Sequence, residues 1–177
     1  MLDVKLLDAF GFFRGVDNSQ REAISRCGEV LQSPAETTIF RKGDPADTLY
    51  GLLEGEVELT LVFEDRLLKP DIRYEEADRS RIEVLQKPVR VARVTPGQVF
   101  GWSALLRNQP RSLTAATVQD CRLIVLKGDC LHEVFEKDAT LGYTLCRRLS
   151  EITHKRLQER TEKLVEAWME AFGGDMA

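Results

Sequence analysis

Pro96-Gly97-Gln98-Val99-Phe100-Gly101-Trp102-Ser103-Ala104-Leu105-Leu106-Arg107-Asn108-Gln109-Pro110-Arg111-Ser112-Leu113-Thr114 is the segment on which the reading of this 177-residue chain turns. A Gly-containing turn leads into a short apolar, helix-like stretch, Ser103 to Leu106. Ten residues after Gly101 comes Arg111, followed by Ser112. These residue types in this order suit an anion cradle. Backbone N–H groups at a helix start point at negative charge. Glycine allows close backbone approach. A guanidinium adds paired donors and a full positive charge.

Around this segment the chain reads as a helical start, a long β-rich middle and a helical end. Ser19-Gln20-Arg21-Glu22 has the form of a capping box. Ala23, Ile24, Cys27 and Leu31 follow at helical spacing, with Gly28 as a C-terminal cap. From Thr37 the residues favour strands, and Lys42-Gly43-Asp44-Pro45 is turn chemistry. Glu56-Val57-Glu58-Leu59-Thr60-Leu61 alternates, so Val57, Leu59 and Leu61 should face a core. Val89 to Val94 reads as another strand. Thr114–Val118 and Cys121–Leu126 read as a strand pair turning at Gln119-Asp120. Many short strands with Gly/Pro punctuation predict a roll or sandwich.

Residues 64–90 hold 14 charged residues and no glycine, which predicts a solvated hairpin extension or a mobile loop. A partner-binding loop is the other reading. Asp129 to Lys137 predicts a short helix. Asp138 then serves as the N-cap of a long helix that could run to Phe172, with Gly173-Gly174 ending it. Leu141, Leu145, Leu149 and Ile152 share one face. Leu157, Thr161, Leu164, Trp168 and Ala171 continue as a weak coiled-coil-like seam. That seam should bury against the core, a second copy, or both.

Composition excludes several classes. With 43% apolar residues the chain is not wholly disordered, and no window approaches a membrane span. A net charge of −4 argues against a protein that coats nucleic acid. The N-terminus has no signal-peptide core. Cys27, Cys121, Cys130 and Cys146 lie far apart without a CxxC, so reduced thiols in a cytoplasm are expected. His132 and His154 sit in predicted helices, and Cys130-x-His132 lacks the further ligands a zinc site needs. No metal site, catalytic residue or enzyme activity is therefore expected.

At Phe100-Gly101 and Pro110-Arg111-Ser112 the chain resembles the phosphate-binding cassette of cyclic nucleotide-binding domains, as in catabolite-activator-type regulators and protein kinase A regulatory subunits. Other landmarks appear in the family's order: Phe13-Arg14-Gly15, Ile39-Phe40-Arg41-Lys42-Gly43-Asp44 with Ala46-Asp47, and Leu53-Glu54-Gly55-Glu56-Val57-Glu58-Leu59. The match runs over roughly residues 11–157. It implies a mainly β double-stranded β-helix (jelly-roll) with flanking helices over 1–137. A long dimerisation or output helix follows over 138–177. It also implies that Gly101, Ser103, Arg111 and Ser112 meet a phosphate. Cys146-Arg147-Arg148-Leu149 resembles the stretch before the family's base-contacting residues, which places Ile152 and Thr153 near a bound base.

Two departures matter. Trp102 stands where the family has a glutamate that accepts from the ribose 2′-OH, and tryptophan has no acceptor. Losing that bond costs ~1.5–3 kcal/mol, or roughly 10- to 150-fold in affinity. Leu113 crowds the same region. Three pocket readings stay open. It binds cAMP or cGMP weakly or in another pose. It binds another small anion or aromatic ligand, with Trp102 as a stacking plate. Or it is a relic whose Arg111 pairs with an internal carboxylate. The second departure is at the output end, where no helix-turn-helix or basic recognition helix follows Leu157, so direct DNA binding is not expected. The expectation is a stand-alone regulatory sensor of a small anion, homodimeric through the long helix, with output to a protein partner or across the dimer. The alternative is a non-sensing assembly module with a degenerate pocket.

Overall fold

The structure is a computed structural model that describes residues 2–70 and 80–172. After a 3₁₀ start that buries Leu7, Phe12 and Phe13, helix α1 spans Asn18–Arg26. Eight strands follow: β1 Gly28–Ser33, β2 Thr38–Phe40, β3 Thr48–Glu54, β4 Val57–Pro70, β5 Ser80–Val94, β6 Val99–Phe100, β7 Thr114–Thr117 and β8 Cys121–Lys127. Helices α2 (Gly128–Lys137) and α3 (Ala139–Phe172) close the chain. Two four-stranded antiparallel sheets form, in the orders β1-β8-β3-β6 and β2-β7-β4-β5. This is the jelly-roll architecture that the strand pattern and the family resemblance lead to.

Alternation along β8 shows how two cores arise from one strand. Cys121 and Leu123 face the second sheet, where they join Phe40, Leu52, Val57, Leu59, Val94, Phe100 and Ala115. Ile124 and Leu126 face the other way, into a layer with Phe10, Phe13, Ile24, Leu131, Leu141 and Leu145 from the helices. Gly51 sits on that helical side of β3. A Cβ there would lie 2.6 Å from the Phe10 ring, so only glycine lets the N-terminal aromatics press onto the sheet. As expected, Val57 and Leu59 are buried, while Leu61 is only partly so.

Several local expectations are corrected. The capping box is formed by Asp17 and Gln20: Asp17 Oδ1 accepts from the Gln20 N–H at 2.9 Å, and the Asp17 N–H donates to Gln20 Oε1 at 3.2 Å. Ser19 instead donates its hydroxyl to Asp17. Helix α1 stops at Arg26, and Leu31 lies in β1, where it is exposed. Helical spacing misled because β1 pairs with β8 from Gly28 onward, and that tertiary pairing overrides four weakly periodic residues. Thr114–Thr117 and Cys121–Lys127 are both strands, but they do not pair. β7 joins β4 and β2, whereas β8 joins β1 and β3, so Gln119-Asp120 carries the chain between sheets. The charged stretch is a hairpin extension: β4 and β5 stay in register out to Pro70 opposite Ser80. Its tip, residues 71–79, and the helix stop at Gly173-Gly174 lie outside the described residues.

The thiol expectation also fails. Cys27, at the end of α1, and Cys130, in α2, form a disulfide with Cα atoms 5.4 Å apart. Their separation of 103 residues hid a proximity that the fold creates. Cys121 and Cys146 are free, the first buried and the second exposed. Among the described residues no helix is long and apolar enough to cross a membrane, and no three acidic, His or Cys side chains cluster to hold a metal.

Asp138 starts α3 as expected. Its carboxylate accepts from the Leu141 N–H at 2.9 Å and from the Gln20 side-chain amide at 2.8 Å. The Leu141 bond, then the Gln20 bond, hold this carboxyl below its ordinary range. One residue thus caps the long helix and ties it to α1.

Candidate ligand-binding site

The turn Lys42-Gly43-Asp44-Pro45 has a structural purpose that its composition alone does not show. The Arg111 N–H donates to the Asp44 carbonyl at 2.8 Å, and the Gly43 N–H donates to the Arg111 carbonyl at 2.9 Å. Pro45 bridges Pro110. The Arg111 backbone is therefore clamped from both sides before its side chain is considered.

That side chain is 2% exposed. Nη1 donates to the Gly101 carbonyl at 2.8 Å, and Nη2 donates to the Thr48 carbonyl at 2.7 Å. The guanidinium carbon lies 4.4 Å from the Phe40 ring centroid and 5.7 Å from that of Tyr50. Tyr50 stacks in turn on Phe100 at 5.2 Å. A cation over an aromatic bed recovers part of its lost hydration. Burial still pulls the Arg111 pKa down and pushes the Tyr50 pKa up, although an arginine stays charged. The nearest carboxylate, Asp47, is 3.6 Å away and mostly exposed. Arg111 Nε is buried and has no hydrogen-bond partner among the described residues.

Gly101 makes this seat possible. Its φ of +76° is left-handed, and a Cβ would lie 2.9 Å from Arg111 Nη1 and 3.2 Å from the Thr48 carbonyl. A 3₁₀ turn, Trp102–Leu105, starts directly after it, and no side chain caps its first N–H groups. The Gly101→Ala variant is expected to lose about 2 kcal/mol from backbone strain alone. It should also weaken anion binding, because the methyl displaces the guanidinium. A thermal melt and a ligand titration on the same sample check both effects.

A cavity of about 390 Å³ opens beside Arg111. Phe40, Leu59, Phe100 and Leu113 form its apolar walls. Gly101, Ser103 and Ser112 lie at the phosphate-cassette side, and α3 brings Thr153, Arg156, Leu157 and Arg160 across from it. Trp102 also lines the cavity. Its indole N–H donates to the Val99 carbonyl at 3.0 Å, and Arg156 stacks on the ring at 4.3 Å. Among the described residues the lining has three guanidinium groups and no carboxylate.

The model of the family described as "Cyclic nucleotide-binding domain" matches residues 76–138, the span that holds the cassette, β7, β8 and α2. The chain carries the cyclic nucleotide-binding domain fold. A candidate cyclic nucleotide-binding protein of Geobacter metallireducens superposes with a TM-score of 0.68 at 25% identity, covering 89% of this chain and 99% of that one. A candidate potassium channel protein of Rhodopseudomonas palustris is 28% identical over 67% of this chain. The CRP-like cAMP-activated global transcriptional regulator of Mycobacterium tuberculosis is 22% identical over 92%. The chain spans 22% of the channel protein's length and 62% of the regulator's.

Within this cyclic nucleotide-binding fold, six of the seven residues expected at the site line one cavity: Gly101, Trp102, Ser103, Arg111, Ser112 and Thr153. Ile152 does not. It packs on the helical core and borders a second cavity, beside Phe12 and Gln98. Successive helix residues differ by about 100°, so Ile152 and Thr153 cannot share a face. Counting on from Thr153 by three or four gives Arg156, Leu157 and Arg160, a helical signal that could have found the missed residues. Thr153 Oγ1 lies 2.9 Å from the Leu149 carbonyl and 3.0 Å from that of Ser150, so its one proton is donated within the helix and its lone pairs are left for a ligand. The Thr48 carbonyl and the Tyr50 ring had no sequence signal, because both contacts follow from β3–β6 pairing. His132 lies outside the cavity lining, 3.2 Å from the Ala104 carbonyl.

Proposed function

We propose that this domain is a regulatory ligand sensor, a binding module without catalytic chemistry, that holds a small anion with an apolar or aromatic body. One observation carries the reading: a buried arginine with a spare Nε donor borders a cavity whose charged lining groups, among the described residues, are all arginines. An anion gains most where water has been removed and donors are already in place. Candidate ligands include cAMP and cGMP. The fixed indole of Trp102 offers a ribose no acceptor, which favours other aromatic anions.

Output would pass through α3. Thr153, Arg156, Leu157 and Arg160 belong to that helix, so a ligand touching them and the cassette together has different affinity for different helix positions. That difference is what shifts a population. The exposed apolar side chains of α3 include Leu164, Trp168 and Phe172. They suit a homodimer seam, or a protein partner downstream. The Leu164→Asp/Trp168→Asp double variant should sediment as a monomer with its helical circular dichroism retained. Sedimentation identical to the parent contradicts the seam.

A second reading has its own support. Both terminal nitrogens of Arg111 are already bonded to carbonyls. An assembly module with an unused pocket would look similar. A thermal-shift panel of cyclic nucleotides and aromatic anions separates the two. A sensor gains about 2.7 kcal/mol with ligand at a hundred times its Kd. Melting unchanged across the panel leaves the assembly module.

A further inference from the structure

The charges on the α3 side of the cavity are not accounted for by a single-charge ligand. Arg111 has the two carbonyls and, at 3.6 Å, the exposed Asp47. Arg156 and Arg160 have no ion pair among the described residues, although Lys155 four residues before Glu159 does. Arg156 is stacked on Trp102, and burial, then the neighbouring Arg160, lower its pKa, with Glu159 opposing weakly. Arg156 is half-buried and Arg160 is exposed, and an anion beside them would relieve the repulsion between two like charges.

Trp102 determines where that counter-anion can sit. Its N–H is taken by Val99, so the ring is fixed and its face is given to the Arg156 guanidinium. Leu59 and Leu113 add hydrocarbon to the same cavity, and Phe40 lies against the Arg111 guanidinium. The lining thus combines Arg111 from the cassette with Arg156 and Arg160 from α3, and the remaining walls are largely apolar.

Resting on the sensor reading, we propose that the cavity selects a ligand with two separated negative charges on a flat apolar or aromatic centre. Arg111 and the Gly101–Ser103 turn take one charge, and the Arg156–Arg160 pair beside Trp102 takes the other. Arg156 and Arg160 are specificity residues: they raise the affinity for the dianion over the matching monoanion. Trp102 is a positioning residue, which acts by holding Arg156.

The test uses the full chain and two probes of nearly equal shape, naphthalene-2-sulfonate and naphthalene-2,6-disulfonate, titrated by calorimetry at one ionic strength. The disulfonate should bind at least 10-fold tighter. In the Arg156→Gln/Arg160→Gln variant, both on the helix surface, the preference should fall below about threefold. Monosulfonate binding should weaken less than disulfonate binding in the same variant. The Trp102→Leu variant should lose part of the preference while still binding the monosulfonate. Equal affinity for the two probes, with binding that Arg111→Lys weakens, overturns the dianion inference and leaves the sensor reading intact. No heat from either probe, together with no thermal shift from any cyclic nucleotide, overturns both. A preference that survives in the double glutamine variant also overturns it, since the second charge would then be held elsewhere.

Discussion

The Arg111→Ala variant is expected to melt roughly 6–12 °C below the parent and to bind no anion. The side chain is 2% exposed and supplies two short charged hydrogen bonds, to Gly101 and Thr48. Each such bond is worth ~1.5–3 kcal/mol, and its loss strands a buried carbonyl. The cost of burying the guanidinium offsets part of that, so a net loss of about 3 kcal/mol is expected. For a domain of this size each kcal/mol moves Tm by about 2–4 °C. The cation over Phe40 goes as well, and with it the packing of the aromatic bed. Arg111→Met separates the two roles. It fills the space, so it should recover part of the stability and none of the binding. Calorimetric melts and a ligand titration of both variants check this, and an Arg111→Ala protein that melts with the parent contradicts it.

Opening the Cys27–Cys130 disulfide should have an effect of similar size. The bond closes a loop across 103 residues. In the chain-entropy account a loop of that length is worth about 4.7 kcal/mol, and removing native disulfides costs about 2–5 kcal/mol. The bond joins the end of α1 to α2, just ahead of the helix that borders the cavity. Reduction with dithiothreitol, or the Cys27→Ala/Cys130→Ala variant, should lower the melting temperature by about 10 °C. Equal melting of the oxidised and reduced chains would mean that the packing of Ile24, Leu131 and Leu141 holds these helices unaided.

Much of the architecture was legible in the sequence, for a physical reason. The alternation Val57, Leu59 and the turn Pro96-Gly97 are local signals, and local signals report local geometry. Asp138 was readable as a cap because capping reaches only three residues. The failures all required the third dimension. Leu31 fits a helical period, but its neighbours in space are strand residues of β8. Cys27 and Cys130 meet only after the whole roll has closed. Thr114–Thr117 and Cys121–Lys127 are adjacent in sequence and sit in different sheets.

The site divides along the same line. Gly101, Ser103, Arg111 and Ser112 lie on one continuous segment, so their grouping shows in the order of residues. Arg156 reaches Trp102 across 54 positions, and nothing local announces that stack. The error at Ile152 was one of angle alone: the helix and its approach to the pocket were expected, but the neighbouring residue faces the cavity.

The Gly101 turn and Arg111 form a seat for negative charge inside a β shell. Backbone amide NMR during titration with an aromatic sulfonate or a cyclic nucleotide tests it most directly. Saturable shifts should centre on Gly101, Trp102, Ser103 and Ser112, with a second group at Thr153 to Arg160. Saturable binding that leaves those amides unmoved, or no binding of any such anion, would contradict it.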